Sequence, residues 1–182
     1  MTDWARDPEL WPGFLEFVPP NSRVWCAGIA TGEEVITLAA RTPESVSIIA
    51  TDIRPDALEA CEAGKYPKAM VDAAIADGDF TQEDARRAFL PSRASDAWLQ
   101  VTPAILERIT WARGDLIRDL YPEVELIFCR NTLHMIPAED RASVVRRLAH
   151  TRTPVIIGKS DFQHMHQYWA EEFQLVPSLI LS

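Results

Sequence analysis

Several features that mark other classes of protein are scarce or absent in this 182-residue sequence. It has three cysteines without CxxC spacing, no secretory signal at its amino terminus, and no apolar run long enough to span a bilayer. The cysteines lie in or beside apolar runs, as small buried hydrophobic residues do: Cys26, Cys61 and Cys129. These absences argue against a disulfide scaffold and a membrane span. We therefore expect a cytoplasmic protein with reduced cysteines and no membrane insertion.

Positive charge is also in short supply, because 18 Lys and Arg residues are set against 27 Asp and Glu residues, for a formal net charge of -9. Such a charge repels phosphate backbones and anionic membranes, so we expect no nucleic-acid partner. It suits a cationic ligand or a basic protein surface, although many enzymes are acidic for solubility alone. The 47% hydrophobic and 25% charged content is typical of one folded domain, which we predict over residues 1–182.

Strand and helix patterns alternate along most of the chain. An Asp7-Pro8 pair predicts the N-cap and first turn of an opening helix. Apolar strands bounded by amphipathic helices indicate an α/β fold whose parallel sheet is covered on both faces. The alternation lapses over residues 70–107, which we interpret as a small inserted subdomain. The predicted strands are 23–27, 45–50, 97–101, 109–113, 124–129, 155–157 and 177–181, and the predicted helices are 8–18, 33–40, 55–63, 82–89, 138–148 and 164–173.

The residues just after the strands are the candidates for a ligand site, because ligands of open α/β sheets bind beyond the carboxyl ends of the strands. The loop AGIATG at residues 27–32 follows the first strand and lets the backbone of Ala27 and Gly28 approach a ligand. Asp52 ends the second strand, roughly 20 residues further on, where an acid binds a ribose diol in such folds. The alternative is a plain tight turn, with Asp52 capping the next helix. Two glutamates follow the loop and would repel pyrophosphate, so the pattern favours a nucleoside without phosphates, such as S-adenosylmethionine.

Motifs in the same order along the chain resemble those of the CheR-type chemotaxis methyltransferases. RVWCAGIATGEE at residues 23–34 is similar to the family's RVWSAGCSTGEE, and IFCRN at 127–131 is identical to the family's motif. ATDI at 50–53, ALEA at 57–60 and GKY at 64–66 resemble its ATDI, VLEKA and GIY. TDWARD at 2–7 is similar to its TxFFRD, and GKSD at 158–161 to its GHSE. The resemblance covers nearly the whole chain.

This resemblance implies a Rossmann-like class I S-adenosylmethionine-dependent methyltransferase fold. It also implies methyl transfer to a protein glutamate, on a chemoreceptor or another signalling protein, with S-adenosylhomocysteine as the second product. Asp52 would bind the ribose hydroxyls, Glu34 the cationic end of the cofactor, and Arg6 would orient the incoming carboxylate near the methyl group. The cofactor-binding residues that we predict from the loop and the resemblance are Thr2, Arg6, Ala27, Gly28, Glu34, Asp52, Asp115, Leu116, Cys129 and Arg130. No metal is needed, and the four histidines lack ligand spacing on a common element.

Two departures from the family pattern leave alternatives open. Met135 stands where the family has a tyrosine, so either Arg6 is enough, His134 substitutes, the acceptor differs, or transfer is lost. The family also carries a helical, basic domain before its TxFFRD motif, whereas this sequence starts at the motif, which predicts a catalytic domain alone. The alternative functions are a regulatory or sensor protein that binds the cofactor without transferring methyl groups, and a methyltransferase with another acceptor.

Overall fold

A computed structural model of the chain describes residues 4–93 and 95–172. The strands are β1 (Arg23–Ala27), β2 (Ser47–Asp52), β3 (Lys65–Pro67), β4 (Phe89–Pro91), β5 (Trp98–Val101), β6 (Ile109–Arg113), β7 (Leu126–Cys129) and β8 (Val155–Ile157). The helices are α1 (Trp11–Glu16), α2 (Glu33–Arg41), α3 (Pro55–Ala63), α4 (Lys68–Ala76), α5 (Gln82–Ala88), α6 (Pro103–Leu106), α7 (Ala138–His150) and α8 (Lys159–Glu172), with short 3-10 turns at Pro8–Leu10 and Leu133–Met135. The predicted strand 177–181 lies outside the described residues.

The central sheet has five strands in the order β6-β2-β1-β7-β8, and every neighbouring pair is parallel. β1 lies in the middle, where Trp25 is in register with Ile49 of β2 and Ile127 of β7. From β1 the chain builds outward to β6 on one side and later to β8 on the other. The strand order therefore reverses between β1 and β7, which is where α/β folds open a crevice for ligands. The predicted α/β class is confirmed.

Alternate residues of the central strands pack into two separate hydrophobic cores. Val24 and Cys26 of β1 face a cluster that also contains buried residues of α1, α2 and α3. Trp25 and Ala27 face the other cluster, which α7 and α8 cover. Because side chains of a strand alternate between faces, continuous apolar runs such as VWCA are what a sheet covered on both sides requires.

Some element boundaries differ from the sequence expectation, and tertiary pairing explains the differences. The second strand runs over Ser47–Asp52 instead of 45–50, because Val46 is held in a turn by its N–H bond to Pro43 O and pairing with β1 begins at Ser47. The helix expected over 82–89 ends at Ala88, since Phe89 enters β4 and pairs with β5. The last described helix starts at Lys159, five residues before the predicted start at His164.

A second, three-stranded antiparallel sheet has the order β3-β5-β4. The amino-terminal strip (residues 4–10) contacts both this small sheet and the elements that cover the central sheet. Its Trp4 ring is 2% exposed and lies 5.0 Å from the ring centroid of Tyr66, 5.1 Å from that of Phe80 and 5.4 Å from that of Phe89. Thr37 of α2 donates a hydrogen bond to Trp4 O at 2.7 Å. The strip is thus packed against both the small sheet and the α2 side of the central sheet.

Candidate functional site

A cavity of about 690 Å³ opens at the carboxyl ends of the central strands, at the reversal between β1 and β7. The loops after β1, β2, β6 and β7 form its walls, together with part of the amino-terminal strip. Eight of the residues predicted from the sequence line it: Arg6, Ala27, Gly28, Glu34, Asp52, Asp115, Leu116 and Arg130. Parallel strands bring these positions together because all their carboxyl ends meet at one edge of the sheet.

The glycine loop passes so close to the loop after β7 that its first glycine has no room for a side chain. Gly28 has a φ of 73°, and a Cβ built there would lie 2.3 Å from Thr132 Cγ2. The Gly28 N–H donates to Thr51 O at 2.8 Å, which anchors the loop to the end of β2. Gly28 is therefore required both for the backbone conformation and for the contact between the two loops.

Asp52 connects the end of β2 to the glycine loop. Its carboxylate is buried, and one oxygen accepts a hydrogen bond from the Ala30 N–H at 2.8 Å while the other accepts from the Arg54 N–H at 2.9 Å. Asp52 thus holds the backbone of Arg54, which is the N-cap residue of α3 in place of Asp52, and it also fixes the loop that lines the cavity. Each carboxylate oxygen keeps acceptor capacity for a further donor.

Arg130 is the most heavily paired side chain of the site. Its guanidinium is 1% exposed and donates to Glu34 Oε2 at 2.6 Å, to Asp7 Oδ2 at 3.0 Å and to the Arg6 carbonyl at 2.7 Å. It therefore joins β7, α2 and the amino-terminal strip. Asp7 occupies the predicted N-cap position, but its side chain caps no helix because Arg130 and Lys159 hold the carboxylate instead.

Glu34 offers a carboxylate to the cavity, with a quarter of its side chain exposed. Burial raises the pKa of Glu34 above its ordinary value, while pairing with Arg130 and the charge of Arg6 act in the opposite direction. Withdrawal from water is the larger effect. A further positive charge at this carboxylate would therefore favour its ionised form.

The wall after β6 is a tight turn stabilised by its own polar groups. The Asp115 carboxylate accepts a hydrogen bond from the Ile117 N–H at 2.8 Å, and the Leu116 carbonyl accepts one from the Tyr121 hydroxyl at 2.7 Å. Leu116 and Ile117 both line the cavity. This turn presents an apolar surface beside an acidic residue.

One of the predicted residues does not line the cavity with its side chain, and another lies outside the described residues. The Cys129 side chain is fully buried in the core beside Trp25 and Leu133 rather than on the cavity wall, and burial raises the pKa of its thiol well above the ordinary value. Only the backbone of Cys129 could therefore meet a ligand of the cavity. Thr2 lies outside the described residues.

His134 pairs with Asp161, a contact that the sequence does not predict. His134 lines the cavity on the turn Leu133–Met135, and its Nδ1 lies 2.7 Å from Oδ1 of the fully buried Asp161. The two residues are 27 positions apart, so no local spacing could reveal the contact. Met135, beside His134, also lines the cavity and is 77% exposed.

The sheet order and the position of the cavity are those of the Rossmann-like fold that class I methyltransferases have. Solved structures support this fold. They include the methyltransferase domain of bacterial CtHen1-CN (TM-score 0.52, 14% identity, covering 88% of this chain and 71% of that one). The N-terminal domain of EvdMO1, solved in the presence of SAH and D-fucose, is also similar (TM-score 0.50, 14% identity, covering 86% and 50%).

The family description "CheR methyltransferase, SAM binding domain" matches residues 12–176, and the chain belongs to this family. The predicted family and the predicted cofactor, S-adenosylmethionine, are thereby confirmed. The chain is 29% identical over 149 residues to a chemotaxis protein methyltransferase of Listeria innocua, covering 79% of this chain and 53% of that protein. It is 29% identical over 183 residues to one of Vibrio parahaemolyticus, covering 88% and 64%.

The chain thus spans between about half and two thirds of the length of these curated relatives. Within residues 4–93 and 95–172, no helix combines the length and the hydropathy that crossing a membrane requires.

Proposed function

We propose that this chain transfers a methyl group from S-adenosylmethionine to a glutamate carboxylate of a protein, such as a chemoreceptor. The observation that carries the proposal is that Asp52, Glu34 and Arg6 line one cavity at the reversal of the strand order. The names of the relatives, chemotaxis protein methyltransferases, support the same acceptor class.

The cavity suits S-adenosylmethionine in size and in the polar groups that it presents. Its volume of about 690 Å³ falls in the range of small-molecule sites. Asp52 would accept hydrogen bonds from the ribose hydroxyls, and Glu34 would pair with the amino group of the methionine part. Leu116 and Ile117 would pack against the adenine. When bound, S-adenosylmethionine supplies a methyl group on a positively charged sulfur, which a nucleophile can take.

A glutamate side chain is already ionised near neutral pH, so the protein needs no base to activate this acceptor and has only to orient its carboxylate. Arg6 could hold the carboxylate through two parallel hydrogen bonds and so aim one oxygen. Because both opposite charges disappear when an ester forms, a wall that excludes water favours the reaction. The apolar residues of the cavity and the packed amino-terminal strip would provide that exclusion.

The first test is calorimetric titration of the purified protein with S-adenosylmethionine and S-adenosylhomocysteine. We expect binding on the order of micromolar, lost in Asp52→Ala, because that change removes the ribose acceptor and the hydrogen bonds that fix the loop. Asp56→Ala is the matched control, since Asp56 is exposed in the first turn of α3. A wild-type protein that binds neither compound would overturn the proposed function.

The second test is transfer of a labelled methyl group to a purified cytoplasmic fragment of a chemoreceptor. A carboxyl methyl ester releases methanol in base, whereas a methyl group on nitrogen or an ether oxygen stays attached. We expect base-labile label that depends on Arg6, with Arg6→Lys weaker than the wild type because lysine cannot make the two-pronged contact. Cofactor binding without any transfer would instead favour the regulatory alternative.

A further inference from the structure

His134 and Asp161 form a polar pair at the cavity that the proposed roles leave unused. Asp161 is fully buried, and its carboxylate accepts hydrogen bonds from the His134 N–H at 3.0 Å and the Thr132 N–H at 3.2 Å. Its third contact is with His134 Nδ1 at 2.7 Å. An ionised carboxylate can accept all three, so the ring donates from Nδ1. Nε2 is then the ring nitrogen that remains for a ligand of the cavity.

The charge of the ring decides what Nε2 can do. With the proton on Nδ1, a neutral imidazole presents a lone pair at Nε2, whereas the protonated ring presents an N–H donor and a positive charge. The Asp161 carboxylate contacts the ring at Nδ1, so in both forms that nitrogen is the one that donates to Asp161. The same two residues could therefore serve either as a base or as a cationic donor.

Other charged groups surround the pair. On α8 the His164 ring lies 5.7 Å from the His134 ring, centroid to centroid, and its Nδ1 lies 2.7 Å from Ser160 O. Arg141 of α7 donates to His134 O at 2.7 Å and so is engaged with backbone. The charged residues of the remaining cavity walls are Arg6, Glu34, Asp52, Arg54, Asp115 and Arg130.

We propose that His134, held by Asp161, binds the acceptor carboxylate by donating a hydrogen bond from Nε2 of its protonated ring. This inference rests on the proposed function. A carboxylate has no proton to give up, so a base at this position would have nothing to accept, whereas a cationic donor attracts the acceptor. A hydroxyl or amine acceptor would need the opposite, a neutral ring that takes the proton as the methyl group is transferred. The direction of the pH dependence therefore distinguishes the two classes of acceptor.

The test measures acceptor binding rather than turnover. N-acetylglutamate amide, a blocked glutamate, is titrated by ligand-observed NMR into the protein saturated with S-adenosylhomocysteine. We expect its affinity to be about tenfold higher at about pH 5.5 than at about pH 8, because a protonated ring donates a charge-assisted hydrogen bond from Nε2, whereas a neutral ring that donates from Nδ1 has no donor there. N-acetylglutamine amide has the same shape without the charge, and its binding should not depend on pH.

Two variants assign the effect to one ring. His134→Gln keeps an amide donor that does not titrate, so the pH dependence of glutamate binding should disappear while S-adenosylhomocysteine affinity stays within about twofold. His164→Gln is the matched control and should keep the wild-type pH dependence, because that exposed ring already has a backbone partner.

The inference is overturned if the blocked glutamate fails to bind at either pH, binds equally at both, or binds more tightly as the pH rises. It is also overturned if His134→Gln keeps the wild-type fall in affinity. In each case retained S-adenosylhomocysteine binding would leave the cofactor site of the proposed function intact, whereas loss of that binding in the wild type would remove the proposed function itself.

Discussion

At the scale of single residues, Gly28 shows how one position can control the site. A side chain there would meet Thr132 at 2.3 Å, in a backbone conformation with φ of 73°. We predict that Gly28→Ala lowers the free energy of unfolding by about 2–4 kcal/mol and weakens S-adenosylhomocysteine binding, because it combines backbone strain with a steric clash. Urea denaturation and calorimetry measure the two effects.

Gly78 provides the matched control for this prediction. Its φ is 83°, but a Cβ would meet nothing within 4 Å. Gly78→Ala should therefore show only the cost of the left-handed conformation, about 1–2 kcal/mol, with unchanged ligand binding. Equal destabilisation by the two substitutions would contradict the packing role of Gly28.

Glu34 carries the second prediction at this scale. Burial raises its pKa, so its carboxyl holds a proton at a pH where an exposed glutamate would be ionised. In the folded protein this group binds the proton more tightly than in the unfolded chain, so its contribution to stability declines as the pH rises through the raised pKa. Pairing with the amino group of a ligand requires the ionised form of Glu34. The affinity for S-adenosylhomocysteine should thus rise with pH through that range and then level off.

Proton release on binding is the direct measurement of this effect. Calorimetry in two buffers with different ionisation enthalpies counts the protons released per ligand bound. The wild type should release a fraction of a proton in the titration range of Glu34, and Glu34→Gln should release none from this position. A wild type whose affinity falls as the pH rises through that range would refute the assignment of Glu34 to the amino group.

At the scale of elements, the packing of the amino-terminal strip is the feature that the sequence pattern predicts least. Trp4 packs against Tyr66 and Phe89, which belong to strands of the small sheet, and against Phe80, which does not. We predict that Trp4→Ala lowers the free energy of unfolding by about 3–5 kcal/mol, because it empties a large buried site. Chemical denaturation followed by circular dichroism measures the loss.

Trp98 is the comparison for Trp4. It lies on β5 of the small sheet and is 42% exposed, so Trp98→Ala should cost about 1 kcal/mol or less. If Trp4→Ala lowered the free energy of unfolding as little as Trp98→Ala, the tryptophan would not be what holds the strip in place. Arg130 and the Asp7 pair with Lys159 would then account for its attachment.

At the scale of the whole molecule, the cavity draws its walls from loops that are far apart in sequence, so ligand binding should stabilise the entire fold. A ligand present at about 100 times its Kd, and bound only by the folded state, adds about 2.7 kcal/mol to the free energy of unfolding. For a chain of this length we expect saturating S-adenosylhomocysteine to raise the Tm by roughly 5–10 °C. Asp52→Ala should show no such rise, and a wild-type Tm that does not move would contradict the site.

The sequence determined the order and type of the main elements, because apolar runs such as residues 24–27 and 126–129 are the direct signature of strands buried on both faces. It also placed Gly28 and Asp52 at one site, since residues that follow parallel strands meet at one edge of the sheet. The family motifs added Arg6, Glu34, Asp115, Leu116 and Arg130 to the same cavity.

Only the tertiary structure decided which side chains pair. The Arg130 guanidinium joins Glu34 to the amino-terminal strip across more than 90 positions, and Asp161 meets His134 across 27. Asp7 keeps its N-cap position, but its carboxylate pairs with Arg130 instead of capping the turn, because a buried guanidinium needs acceptors. Local propensities describe the chain one turn or strand at a time, whereas these contacts depend on how whole elements pack against one another. The chemistry of the cavity depends on these contacts.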